Sequence, residues 1–277
     1  MRELSHHRFG LGWRPELAAS IFANLDSIDV VEVIADDWLD AGARDLRALR
    51  RLASAVPVIL HATSLGLAGP DPVDARRLDR LARLAGAVEP VAWSEHLAFV
   101  RAGGIEIGHL AAPPRTRTTI ENLRRNVSRA RAAVGSAPIL ENVATLIDPP
   151  VSDLSEAEFV RAAIKACETS LLLDLHNLYA NATNFRTEID LFPDLPIGYV
   201  HLAGGRWAGG RILDDHLHAT PDPVFALLAG LAARQEPLTI ILERDGRYPR
   251  FDELLGELAR ARQEIDDPRS LPRTAVR

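Results

Sequence analysis

The sequence predicts a single α/β domain, a (β/α)8 barrel of the TIM type over residues 1–277, with a frayed tail over about 266–277. Three features predict it. Apolar runs of strand length alternate with helical patterns along the whole chain, as in βα units around a parallel sheet. The strand candidates are apolar at consecutive positions, as in Ser170-Leu171-Leu172-Leu173, which suits strands buried on both faces. Polar residues then gather just past the strand ends, where a barrel builds its pocket. A doubly wound open sheet is the competing architecture. It calls for a glycine-rich first βα turn, and Gly10-Leu11-Gly12 lacks the third glycine.

In order, Phe9–Gly12 forms the first strand, and Pro15 opens the helix behind it because its fixed φ suits a first helical turn. Ile28–Ile34 is the second strand, followed by a helix over Ala43–Ser54. Pro57–His61 is the third, backed by a helix over Pro72–Ala85. Pro90–Ser94 is the fourth and runs into Glu95-His96; a hairpin turning at Gly103-Gly104 and a helix over Thr116–Val134 follow. Pro138–Asn142 is the fifth. Ser155-Glu156-Ala157-Glu158 is a capping box, so a helix begins there. The Ser170 run is the sixth strand, Pro196–His201 the seventh, with a helix over Pro223–Arg234. Leu238–Glu243 is the eighth, closed by a helix over Phe251–Arg262. No linker, short-period repeat or low-complexity tract interrupts the series.

Composition excludes several function classes. The net charge of −6 argues against a nucleic-acid partner, which needs a positive footprint. No apolar run approaches the roughly 20 residues of a membrane span, and Met1–His7 lacks the apolar segment of a signal peptide. The single cysteine, Cys167, fits a reducing cytoplasm and sits in a helical pattern as a packing thiol rather than a nucleophile. Lys165 is the only lysine and lies mid-helix, which rules against Schiff-base chemistry.

The strand ends carry the chemistry. The second strand contains Glu32, which on its own reads as a polar residue of a barrel layer. The third ends in His61, the fourth in Glu95-His96, the fifth in Glu141-Asn142, and the sixth in Asp174, His176 and Asn177. The seventh ends in His201 and the eighth in Glu243, followed by Asp245; Asp214-Asp215-His216-Leu217-His218 lies in the loop between them. In a barrel all these ends face one pocket. So many carboxylates would repel one another and resist ionisation without cations. Divalent metals resolve the conflict. His61, His96, Glu141, Asp174, His201, Asp214, His216 and Glu243 exceed the four to six ligands of one ion, so two or three ions are expected. Imidazole and carboxylate without thiolate suit iron, manganese or zinc.

The same motifs resemble a known family. Leu173-Asp174-Leu175-His176-Asn177-Leu178-Tyr179, Ser94-Glu95-His96-Leu97-Ala98, Tyr199-Val200-His201-Leu202-Ala203-Gly204, Leu213-Asp214-Asp215-His216 with Pro221-Asp222-Pro223-Val224, and Leu242-Glu243-Arg244-Asp245 are similar, in matching order, to the multinuclear non-haem iron-dependent oxidative enzymes of the MbnB and TglH type. The resemblance runs from about Gly10 to Arg262. It implies a barrel holding two or three irons of mixed Fe2+/Fe3+ state. With O2 as co-substrate, they modify cysteine, or another residue, of a ribosomally synthesised precursor peptide that a separate leader-binding partner protein presents. By position, it implies His61, His96 and Glu141 as ligands of one iron, and Glu141, Asp174, His201 and Glu243 as ligands of the next. Asn177, Asp214 and His216 hold a third, weaker one, and Asp245 is the candidate catalytic proton acceptor near the substrate amide or thiol.

The departures lie on the substrate side. His176 stands where relatives commonly carry an asparagine, adding a potential ligand or hydrogen-bond donor beside the third iron. Ile34, Asp36, Asp37 and Trp38 replace a His, Glu, Asn and aromatic pattern, and Ala111–Thr116 keeps only part of the usual Pro/Tyr pattern. Three other readings share the ligand types: a divalent-metal sugar isomerase or epimerase on a xylose-isomerase-like barrel, a zinc phosphodiesterase of the endonuclease IV type, and metal storage. Gly204-Gly205 and Gly209-Gly210 are expected to keep a loop flexible over the site rather than cradle phosphate. Trp38 and Trp207 are candidates to line a peptide channel, with Trp93 in the core.

Overall fold

The structure, a computed structural model, describes residues 6–266 other than Glu236. Its strands are β1 (Arg8–Trp13), β2 (Val30–Ile34), β3 (Val58–His61), β4 (Ala92–His96), β5 (Phe99–Ala102), β6 (Ile105–Ala111), β7 (Ile139–Glu141), β8 (Leu171–Asp174), β9 (Ile197–Leu202), β10 (Arg206–Ala208), β11 (Arg211–Leu213) and β12 (Thr239–Leu242). Its helices are α1 (Ala18–Ala23), α2 (Ala43–Ala55), α3 (Ala75–Val88), α4 (Arg117–Val134), α5 (Glu156–Cys167), α6 (Leu175–Phe185), α7 (Asp222–Ala232) and α8 (Phe251–Asp266). The strands β1-β12-β9-β8-β7-β4-β3-β2 close a barrel in that order, every pair parallel. The predicted (β/α)8 architecture is therefore the one observed.

Local chemistry accounts for the helix ends. Ser155 and Glu158 cap each other's backbone at the start of α5, and Asp74 accepts from two amides at the start of α3. Gly135 closes α4 at φ 91°, where a side chain would be strained. The tail predicted to fray lies outside the described residues, except for Asp266 at the end of α8.

Side chains alternate across each strand, and this positions everything that follows. Val31, Leu60, Leu140, Leu173, Val200 and Ile240 belong to the large core shared with the helices. Val30, Ile59, Ile139, Leu172, Tyr199 and Ile241 form a separate buried cluster inside the barrel. Two residues further along each of those strands stand Glu32, His61, Glu141, Asp174, His201 and Glu243. The apolar cluster is the floor, and these groups are the next layer towards the C-terminal mouth.

Two segments depart from the sequence reading. A helix, α6, follows β8 with no loop: Asp174 ends the strand and also caps the helix, accepting from the Asn177 amide at 2.7 Å. The helical period is masked there by polar residues recruited to the mouth. The glycine-containing loop after β9 is an ordered hairpin, β10–β11, whose turn residues Gly209 and Gly210 have φ 58° and 78°. Gly204 and Gly205 are packing residues, not hinges. A Cβ on Gly204 would lie 2.1 Å from the Ala219 carbonyl, and one on Gly205 would lie 2.0 Å from the Leu213 carbonyl. Close backbone approach, not flexibility, demands glycine there. Leu172 fills the barrel floor with no exposure. Leu172→Ala is expected to cost about 2–5 kcal/mol in urea unfolding.

Candidate metal centre

Parallel strands of matched register bring the mouth residues together across large sequence distances. His61 and His96 both point their Nε2 atoms at Glu141 Oε2, at 3.4 and 3.1 Å. His201 Nδ1 lies 3.4 Å from Glu141 Oε1, 3.8 Å from Asp174 Oδ2 and 3.2 Å from Glu243 Oε2. His216 Nδ1 lies 3.1 Å from the same Glu243 oxygen, and its Nε2 lies 2.8 Å from Asp214 Oδ1. Every ligand residue expected from the sequence is thus at one mouth. Asn177 also lines the cavity there and is anchored through its amide to the Asn142 carbonyl at 3.1 Å.

These groups fit cations. Ligand atoms lie within 4.8 Å of one another in several trios: His61, His96 and Glu141; Glu141, Asp174 and His201; Asp174, His216 and Glu243; Glu32, His201 and Glu243; and His176, Asp214 and His216. Glu141 Oε2, Asp174 Oδ2, Asn177 Oδ1, His201 Nδ1 and His216 Nε2 are buried without a well-aligned hydrogen bond, although all but Asn177 Oδ1 lie within ion-pair range of oppositely charged groups. Buried polar atoms are ordinarily well bonded, so this concentration of poorly satisfied nitrogens and oxygens at one place is what a set of metal ligands looks like. The mouth opens into a cavity of about 640 Å³ whose apolar wall includes Ile34, Leu110, Val143, Leu146 and Ile212. None of Trp38, Trp93 and Trp207 lines it: Trp93 is core, its indole donating to Ser136, and Trp207 is exposed on β10. In place of tryptophan the wall combines those aliphatic residues with polar ones such as Thr63, His109, Thr145 and Arg206.

Several participants escaped the sequence reading. Glu32 is not filler of a barrel layer. Its carboxylate receives the Tyr199 hydroxyl at 2.6 Å and lies 2.9 Å from His201 Nε2. Ser94 continues the chain, contacting Tyr199 at 2.6 Å and His61 Nδ1 at 2.7 Å. These bonds hold two imidazoles in orientation from behind, as outer partners of ligands do. The available signal was a carboxylate inside the run Val30-Val31-Glu32-Val33-Ile34, on the inward phase of the strand. Arg14, at the end of β1, pairs with Asp245 and lies 3.5 Å from Glu243. Asp245 itself is partly exposed on the cavity, with Oδ2 3.5 Å from His216 Nδ1.

Burial and mutual charge set the protonation. Desolvation resists charge on every group, yet the carboxylates of Glu141 and Glu95 raise His96 to about 9, and neighbouring acids hold His201 and His216 well above the ordinary imidazole value. Burial pushes Asp174 up to about 7, while the His216 and His201 imidazoles keep Glu243 well below the carboxylate range. Burial also pushes the Cys167 thiol up to about 12, which removes it as a nucleophile.

Known proteins of similar sequence and fold bear on this geometry. The sequence profile of the RiPP precursor modification enzymes MbnB/TglH/ChrH matches residues 8–266. The chain belongs to that family. It is 38% identical to a UPF0276 protein of Streptomyces avermitilis over 96% of its own length, and 33% identical to one of Paraburkholderia phytofirmans over 91%. The chain spans 56% of the length of the Streptomyces protein and 85% of the other. Among solved structures it is similar in fold to an L-ribulose 3-epimerase (TM-score 0.56, 17% identity, 91% of this chain and 86% of that one) and to the endonuclease IV of Thermus thermophilus (TM-score 0.57, 15% identity, 93% and 98%). This MbnB/TglH/ChrH member therefore shares its xylose-isomerase-like barrel with enzymes of other chemistry.

The charge balance has a measurable signature. Asp174 and His96 bind protons more tightly in the folded protein than in the unfolded one, so their contribution to stability is complete below the unfolded values. It is lost as pH rises through about 7 for Asp174 and about 9 for His96. The Tm of metal-free protein is expected to fall between pH 6 and pH 9, measured by calorimetry in chelator, and divalent metal is expected to reverse the fall. Glu32→Ala leaves His201 Nε2 and the Tyr199 hydroxyl buried without their carboxylate and is expected to cost about 3–5 kcal/mol in denaturant titrations of metal-free protein.

Proposed function

We propose that this protein is a multinuclear iron-dependent oxidoreductase that uses O2 to modify cysteine, or another residue, of a ribosomally synthesised precursor peptide. The observation that carries the reading is the set of buried, poorly hydrogen-bonded imidazole, carboxylate and amide atoms gathered at one cavity, in a chain of a RiPP-modifying family. His61, His96 and Glu141 would hold one ion; Glu141, Asp174 and His201, with Glu243 beside them, a second; and Asn177, Asp214 and His216 a third. Thiolate-free, mixed N/O ligation suits iron, and two or three ions in mixed Fe2+/Fe3+ state account for a ligand set too large for one. Iron, when bound, supplies the oxidising chemistry with O2.

The protein's own residues do the rest. The aliphatic wall accepts an extended peptide and excludes water from the mouth. Asp245, held by the Arg14 guanidinium beside Glu243, takes a proton from the substrate thiol or amide. A leader-binding partner protein presents the precursor, and the reaction belongs in the cytoplasm, where such peptides are made. Net charge supports a peptide rather than a nucleic acid as substrate.

Anaerobically purified protein is expected to contain iron by elemental analysis and Mössbauer spectroscopy. It should change the mass of a co-expressed precursor peptide only when O2 is admitted. Full turnover without O2, or with magnesium or manganese on a free sugar, overturns the oxidase reading in favour of an isomerase. Glu141→Gln, which removes the shared ligand, is expected to lower turnover by more than about 100-fold while circular dichroism stays unchanged.

A further inference from the structure

We propose that His176 is a ligand of the third metal position, so that His176, Asp214 and His216 form a two-imidazole, one-carboxylate set that retains its ion firmly. The inference rests on the iron-binding reading above and deepens it at one position.

The geometry is specific. His176 Nδ1 and His216 Nε2 each lie 2.8 Å from the same Asp214 oxygen, Oδ1. The two rings stand at 83° to one another with centroids 6.4 Å apart, and the trio's ligand atoms fall within 4.8 Å of one another. Those separations are edges of a coordination polyhedron, and two imidazoles with one carboxylate on one face are the set that non-haem ferrous sites use while leaving positions open. Asp214 and His216 line the cavity, whereas His176 reaches them from behind, 1% exposed, on the first turn of α6. The open positions therefore face the substrate side.

Two further observations mark the seat as built. A Cβ on Gly205 would come within 2.6 Å of His176 Cε1, so the chain keeps that position bare for the ring. His216 holds a left-handed backbone, φ 51°, which a non-glycine residue adopts at a cost, and its carbonyl accepts from the Asp245 amide at 2.9 Å. Asn177 Oδ1, buried and unpartnered, adds a weak oxygen donor at the same mouth. An imidazole beside it turns a site with one strong nitrogen ligand into one with two.

The test uses the full chain, reconstituted anaerobically with 57Fe2+ and desalted. Wild-type protein is expected to keep the third equivalent and show its own quadrupole doublet in the Mössbauer spectrum. His176→Asn should lose that doublet, with retention of this equivalent lowered by more than about 100-fold and the other irons and the circular dichroism unchanged. In His176→Ala, millimolar imidazole should restore it. If His176→Asn keeps the wild-type iron content and spectrum, the ring only hydrogen-bonds Asp214 and the inference is overturned. If that variant does not fold, anomalous diffraction from iron-loaded wild-type crystals decides: iron at bonding distance from His176 supports the assignment, and iron bound elsewhere only overturns it. Wild-type protein that keeps no iron defeats the broader iron reading as well. Wild-type protein that keeps its irons, with neither variant losing the third, defeats this inference alone.

Discussion

At the mouth of the barrel, carboxylates and imidazoles are buried so close together that neither kind is stable without the other or without a cation. Glu141 is approached by His61, His96 and His201; Glu243 by His201 and His216; Glu32 by His201 from the opposite side. The surrounding carboxylates hold His201 and His216 well above the ordinary imidazole value, so in metal-free protein these rings carry protons as counterions. A divalent ion would replace those protons and satisfy oxygens and nitrogens that no hydrogen bond reaches. Arg14, paired with Asp245 beside Glu243, adds a fixed positive charge where the cluster meets the cavity.

The barrel supports this layer with the one beneath it. Val30, Ile59, Ile139, Leu172, Tyr199 and Ile241 form a buried apolar layer, and the polar groups stand two residues further along the same strands. Tyr199 belongs to both layers: its ring packs in the floor while its hydroxyl bonds Glu32 and Ser94.

The same barrel serves an epimerase and an endonuclease, so fold alone says little about chemistry here. The chemistry of this chain is carried by the mouth: the buried imidazoles and carboxylates, the hairpin β10–β11, and a cavity wall that is aliphatic in part and holds no tryptophan. These are the elements that line the cavity or border it.

The sequence by itself determined the barrel and the rim of polar residues, because parallel strands buried on both faces leave consecutive apolar runs and force polar groups to the strand ends. His61, His96, Glu141, Asp174, His201 and Glu243 were legible for that reason, and so was the capping box at Ser155. The continuation of β8 into α6 was not, because polar residues drawn to the mouth hide the helical period. Glu32, Ser94 and Tyr199 were not legible as partners, since their roles depend on which strands become neighbours when the barrel closes. Nor was the purpose of Gly205, which answers to a ring and a carbonyl from elsewhere in the chain. Only the tertiary structure decided these, because inward phase and strand order, not sequence separation, set which side chains share a low-dielectric space.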